Sequence, residues 1–263
     1  MTAKTISYQK STVSYRVTGE GKTVVLLHGF AEDSNIWDNQ VAFLKNRFRI
    51  IIPDIPGSGH SQLIPNANIE TYAEIIKLIL DAEEAGRLVT LIGHSMGGYI
   101  TLAFAEKYPQ YLDSFGLFHS SAFADNEEKK QARAKSIDFI NVNGSNAFLK
   151  TSIPGLFTKA YADAYPEIIN DLLEKGKNFS SAALIQYYQA MIARPERIAV
   201  LKTFSKPILF VIGEHDNAIP LESSMQQCYL PAIAHVHILN KSAHMGMWEE
   251  ADKSNQILFN FLQ

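Results

Sequence analysis

The run Gly93-His94-Ser95-Met96-Gly97-Gly98 sets a serine between glycines directly after the apolar stretch 88–92, and a helical pattern over 99–108 follows. A serine in a sharp strand-to-helix turn projects its hydroxyl above the sheet edge, and the glycines leave room where strand and helix nearly touch. The first turn of the helix then aims free backbone N–H groups at any negative charge that forms beside the hydroxyl. The chemistry this allows is nucleophilic attack by Ser95, with the Met96 N–H as one stabilising donor. An isolated turn of this pattern also fits plain structure, so the reading needs partners elsewhere in the chain.

A serine hydroxyl is a weak nucleophile at neutral pH and needs a base, which in turn needs an orienting acid. Eight histidines compete for the first role. His28 and His60 fall in turns ahead of the serine, His94 lies inside its motif, and His119 ends a strand. His235 and His237 lie in or beside another strand, and His215 precedes Asp216. His244, in Lys241-Ser-Ala-His-Met-Gly-Met-Trp248, stands on the loop after the last strand pattern. Parallel sheets collect reactive groups at such loops, so His244 is the expected base. Asp216, in Gly213-Glu-His-Asp216 after the strand pattern 208–212, is the expected acid, and Glu214 on the same loop is the fallback. His28-Gly29-Phe30 follows the strand pattern 23–27 and supplies the Phe30 N–H as a second oxyanion donor beside Met96. His28 itself, before a glycine turn, reads as a structural hydrogen-bonding residue. Asp54, in Asp54-Ile-Pro-Gly-Ser-Gly-His-Ser61, reads as a turn former.

The elements that must carry these loops alternate between strand and helix patterns, as in a mainly parallel sheet with helices on both faces. Strands are expected at 6–8 and 13–17 as a hairpin-like pair, then at 23–27, 49–52, 88–92, 112–118, 207–212 and 235–239. Helices are expected at 35–46, 69–85 and 249–262. Between 121 and 197 only helical patterns occur, at 125–142, 146–157, 165–175 and 180–193. A connection of ~75 residues exceeds a simple crossover. Residues 121–197 are therefore expected to form a helical cap (lid), inserted between the two pieces 1–120 and 198–263 of one core domain; the alternative is one long helical connection. The aromatic residues of that region (Phe139, Phe148, Phe157, Tyr161, Tyr187 and Tyr188), together with Met245, are read first as packing.

Composition narrows the function classes. The 263 residues are 46% hydrophobic and 19% charged, with a formal net charge of -3 and no basic cluster. Nucleic acid and anionic membrane are thereby set aside as main partners. The single cysteine, Cys228, forms no intrachain disulfide and fits a reducing compartment. The N-terminal stretch has no apolar signal-like core and no run is long enough to span a bilayer, so a cytoplasmic location is expected. Without a metal-ligand cluster or a phosphate-binding glycine loop in the sequence, no cofactor and no metal are expected.

Taken together, His28-Gly29-Phe30, the 54–61 turn, Gly93 to Gly98, Gly213 to Asp216 and Ser242-Ala-His244 resemble the α/β-hydrolase fold superfamily, in its capped serine-hydrolase (esterase-like) branch. The matching motifs span nearly the whole chain outside the expected cap. The resemblance implies an eight-stranded, mostly parallel sheet with a lid after the sixth strand, Ser95 as nucleophile, Asp216 as acid and His244 as base. Serine at position 95 differs from the aspartate of haloalkane dehalogenase-like and epoxide hydrolase-like relatives. The His-Gly-Gly-Gly loop of the hormone-sensitive-lipase-like branch is absent. The expected activity is hydrolysis of a small carboxylic ester through an acyl-enzyme, with a small-molecule acyl substrate as partner. Carbon–carbon hydrolysis, thioester hydrolysis and a menaquinone-pathway-type elimination remain open on the same scaffold, as does a non-enzymatic ligand receptor.

Overall fold

The structure, a computed structural model, describes residues 1–85 and 88–263. Eight strands form one sheet: β1 Thr2–Tyr8, β2 Ser11–Thr18, β3 Lys22–Leu27, β4 Phe48–Pro53, β5 Val89–His94, β6 Leu112–Phe118, β7 Ile208–Gly213 and β8 Ala234–Leu239. Their spatial order is β1-β2-β4-β3-β5-β6-β7-β8. The first two strands are antiparallel to each other, β2 is antiparallel to β4, and every later pairing is parallel. All residues of β5 and β7 are buried although their side chains alternate in direction, so helices cover both faces.

The helices of the body are α1 Asp38–Leu44, α2 Ile69–Ala82 and α3 Met96–Lys107, and, after the insertion, α8 Ile198–Thr203, α9 Leu221–Cys228, α10 Gly246–Glu249 and α11 Ala251–Leu262. Helix α2 packs on α3 and α1 packs on α11, giving the sheet its two covering layers. Helix α2 shows why the sequence folds this way locally. Asn68 caps its first turn by accepting the Thr71 N–H, and Ile69, Tyr72, Ile75, Ile76 and Ile79 recur on one buried face.

The four helices of the insertion are α4 Glu127–Ser152, α5 Lys159–Ala164, α6 Pro166–Gly176 and α7 Ser181–Ala193. They leave after β6 and return to β7, its direct neighbour in the sheet. Two separate helices were expected at 125–142 and 146–157. Both are present as the two segments of α4, which meet at Gly144, where the backbone (φ 82, ψ 164) leaves the helical region and glycine tolerates the positive φ; the second ends at Ser152. Helix α5 carries too short a pattern to stand out in the sequence. The closing helix divides into α10 and α11 at Glu250, whose backbone is not helical. No described helix is long and apolar enough to cross a membrane.

The parallel register aligns the strand ends. Leu27 pairs with Gly93, Gly93 with Leu117, Leu117 with Phe210, and Gly213 with Leu239. The loops that carry His28 to Phe30, Ser95, His119, Asp216 and His244 therefore leave one edge of the sheet together.

Candidate active site

Ser95 occupies the turn between β5 and α3 with φ 50 and ψ -115, a strained conformation for a residue with a side chain. Such a backbone costs on the order of 1–3 kcal/mol and persists only where its surroundings fix it. Here the Ser95 N–H donates to the Phe118 carbonyl at 3.0 Å, and the Ser95 carbonyl accepts from the Gly98 N–H at 2.9 Å and the Ser120 hydroxyl at 2.7 Å. A Cβ on Gly93 would lie 2.2 Å from the Gly97 oxygen, and one on Gly97 would lie 2.6 Å from the Leu27 oxygen. Backbone contact at both points is what requires the two glycines. The Ser95 side chain is half-buried, and its hydroxyl holds no hydrogen bond to another described residue.

Asp216 and His244 come together at the ends of β7 and β8. His244 Nδ1 lies 2.8 Å from Asp216 Oδ2, and both residues are buried. Asp216 Oδ1 accepts the Ala218 and Ile219 N–H groups at 2.8 and 2.9 Å. Burial alone would raise the Asp216 pKa. The charge of His244 and the hydrogen bonds from His119 and His244 outweigh it and hold the carboxyl well below the usual range. An ionised Asp216 fixes the proton of His244 on Nδ1, so Nε2 presents its lone pair.

His119 is the third member of this group, and sequence reading missed it. Its Nδ1 accepts the Gly213 N–H at 3.1 Å and lies 3.2 Å from Asp216 Oδ2, and its Nε2 accepts the Gly246 N–H at 3.2 Å. Burial pushes its pKa down to about 4 against the pull of Asp216, so the ring is neutral at neutral pH.

The Phe30 and Met96 N–H groups, the two expected oxyanion donors, are given to no acceptor among the described residues. Their loops touch, since a Cβ on Gly29 would lie 3.1 Å from Ser95 Cβ. His28 takes the structural role read from its turn: it is buried, and its Nε2 accepts the Ile55 N–H at 2.9 Å. Asp54 likewise serves the backbone, accepting from the Ser34 and His60 N–H groups at 2.9 and 3.0 Å. Glu214, the fallback acid, is exposed and does not join Asp216 and His244.

Two further acids were not read from the sequence. Glu32 Oε2 accepts the Gly29 N–H at 2.6 Å and lies 2.9 Å from His94 Nδ1. Its signal is the spacing of three residues after Gly29, at which a carboxylate reaches back to a turn N–H. Glu249 Oε2 accepts the N–H groups on either side of His244, Ala243 at 2.8 Å and Met245 at 3.3 Å, and its Oε1 accepts the Thr158 N–H of the insertion at 2.7 Å. The His244 N–H itself donates to the Leu156 carbonyl at 2.9 Å. The insertion is thus bonded directly to the loop of His244. Replacing Glu249 by alanine is expected to strip acceptors from three N–H groups and to lower stability by about 3 kcal/mol. Urea denaturation measures this, and an unchanged midpoint would contradict the staple.

A cavity of about 130 Å³ opens between body and insertion. Phe30, Ile36 and Met245 line it from the body, and Leu149, Ile153 and Tyr188 from the insertion. The Phe30 ring stacks on Tyr188, centroids 4.4 Å apart and planes at 29°. Tyr188 and Met245 are therefore cavity walls rather than packing alone. Tyr187 does pack: it is fully buried, with its hydroxyl bonded to Ser58 at 2.7 Å and to the Pro56 carbonyl at 2.9 Å. Phe157 is also buried, stacked on Tyr161.

Comparison with known proteins adds an independent line. Residues 22–139 match the family model described as alpha/beta hydrolase fold. A 2-hydroxy-6-oxononadienedioate/2-hydroxy-6-oxononatrienedioate hydrolase of Escherichia coli (strain K12) is 26% identical over 273 residues, covering 95% of this chain and 90% of that protein. A thermophilic esterase from Thermogutta terrifontis superposes with a TM-score of 0.93 at 25% identity, over 100% of this chain and 98% of the other. The enol-lactonase from Burkholderia xenovorans LB400 superposes with a TM-score of 0.90 at 22% identity, over 98% and 99%. With the strand order, the strained serine turn and this likeness in agreement, the chain has the α/β-hydrolase fold.

Proposed function

We propose that this α/β-fold hydrolase cleaves small carboxylic esters or lactones with an uncharged acyl group, through an acyl-enzyme on Ser95. The observation that carries this reading is the 2.8 Å bond between His244 Nδ1 and Asp216, at the same sheet edge as a strained serine flanked by two unclaimed N–H groups. His244 Nε2 takes the Ser95 proton as Oγ attacks the carbonyl carbon. The oxyanion receives the Phe30 and Met96 N–H groups, each such donor being worth about 10²–10³ in rate. The imidazolium then protonates the leaving alcohol, and water repeats the sequence to free the acid and restore Ser95. Helices of residues 121–197 act as the cap that excludes bulk water, consistent with their bonds to the His244 loop.

The cavity supports the choice of substrate. Its lining is mainly apolar, and its one basic residue, Lys175, is paired with Asp171 at 2.7 Å. A dienedioate, the substrate in the names of the sequence relatives, would bring two carboxylates into this setting with no free cation among the lining residues. An uncharged acyl chain meets no such cost. The test compares p-nitrophenyl acetate and butyrate with a 2-hydroxy-6-oxo-dienedioate on the purified protein. The ester kcat/KM is expected to exceed the dienedioate value by about 10² or more. The reverse order would overturn the ester reading in favour of carbon–carbon hydrolysis.

A further inference from the structure

His94 immediately precedes Ser95 and is completely buried. Its Nδ1 lies 2.9 Å from Glu32 Oε2, and its Nε2 lies 2.9 Å from the carbonyl oxygen of His244. Both partners are oxygens that only accept. A neutral imidazole has one N–H, so two such contacts require two, and the ring is an imidazolium. The same Glu32 oxygen accepts the Gly29 N–H, one residue before the Phe30 donor. Three pieces distant in sequence therefore meet at one ion pair: the loop after β3, the turn after β5 and the loop after β8.

We propose that Glu32 and His94 are a positioning pair, which holds the oxyanion loop, the Ser95 turn and the His244 loop in the mutual register that acyl transfer needs. The inference rests on the acyl-transfer reading of the site. Neither residue touches the reacting atoms; both act through groups that do. Misplacing catalytic groups by about 1 Å costs on the order of 10² in rate, and this pair fixes one backbone point on each of the three loops.

The pair also sets a pH signature. The groups facing it are His28 on the β3 loop, His119 after β6, Asp216 after β7 and His244 after β8. Burial works against the His94 charge, but the Glu32 carboxylate, its hydrogen bond and the His244 carbonyl outweigh it and raise the pKa above the ordinary histidine value. Burial likewise works against the Glu32 charge, and the His94 charge, the His94 hydrogen bond and the Gly29 N–H hold its pKa below the ordinary carboxylate value. Both charges are therefore present between those ordinary values. As pH climbs through the raised value, His94 loses one proton and with it one of its two bonds, so kcat falls on the alkaline side.

The experiment is steady-state kinetics of Glu32→Gln and Glu32→Asp on p-nitrophenyl acetate across pH, with thermal melts to establish folding. Glu32→Gln is expected to lower kcat about 10- to 100-fold with KM within about threefold, because register and not substrate contact is lost. Its alkaline limb is expected to move to lower pH, since His94 has lost its carboxylate, and Glu32→Asp is expected to restore the limb in part. A folded Glu32→Gln protein with wild-type kcat and an unmoved limb would overturn the proposal. Should that variant not fold, ¹⁵N spectra of the histidine-labelled wild type carry the test. A buried imidazolium with both ring nitrogens protonated at neutral pH is expected, and only neutral buried rings would overturn it. Wild-type protein that neither turns over esters nor reacts with a fluorophosphonate would instead overturn the acyl-transfer reading, leaving the spectra to judge the ion pair alone.

Discussion

Ser95→Ala is expected to lower kcat on p-nitrophenyl acetate by about 10³- to 10⁶-fold while leaving the melting temperature near the wild-type value. The two halves of this expectation come from one geometry. The hydroxyl makes no hydrogen bond to the described protein, so its removal leaves no buried partner unsatisfied. The turn is held by the backbone groups of Ser95, Gly98, Phe118 and the Ser120 hydroxyl, all of which remain. Chemistry has no such reserve. In the proposed mechanism, loss of Oγ leaves His244 nothing to deprotonate, and the Phe30 and Met96 donors could only polarise a carbonyl for attack by free water. A folded Ser95→Ala protein that retains near wild-type turnover would show that the bond is broken elsewhere.

A large effect on stability is expected at Gly97. An added Cβ would lie 2.6 Å from the Leu27 oxygen and 2.7 Å from the His28 oxygen. These are backbone atoms of a buried strand end and cannot rotate aside, so strand or helix must shift. Gly97→Ala is expected to destabilise by about 3 kcal/mol or more, measured by urea denaturation. The strained points, Leu27 and His28, lead directly into the loop of the proposed Phe30 oxyanion donor, so the surviving folded fraction is expected to lose activity as well. Gly155→Ala is the control: a Cβ there meets nothing within 4 Å, and its midpoint is expected to stay within about 0.5 kcal/mol of wild type. Equal midpoints for the two variants would contradict the close approach of β3, β5 and α3.

Much of this architecture was legible in the sequence because local pattern and chain order carry it. Apolar runs bounded by glycine and proline marked the parallel strands. Asp216 and His244 could be chosen because each lies just beyond a strand pattern, where the sheet gathers its loops. Other features depend on contacts between distant segments and leave little local trace. Glu32 and His94 are 62 positions apart, and Glu249 reaches both its own loop and Thr158, 91 positions away. His119 read only as a strand-end residue until the β6–β7 pairing set it beside Asp216. The walls of the cavity were equally illegible, because Tyr187 and Tyr188 are neighbours in one helix and yet one packs while the other faces the open space.

The acyl-enzyme is the central claim, and trapping it is the most direct test. Wild-type protein mixed with p-nitrophenyl trimethylacetate, whose bulky acyl group slows deacylation, is quenched in acid and read by intact mass and peptide mapping. The expected result is a single trimethylacetyl adduct per chain, carried by the peptide that contains Ser95 and absent from Ser95→Ala. Ester turnover with no adduct, or with the adduct on another residue, would contradict the account.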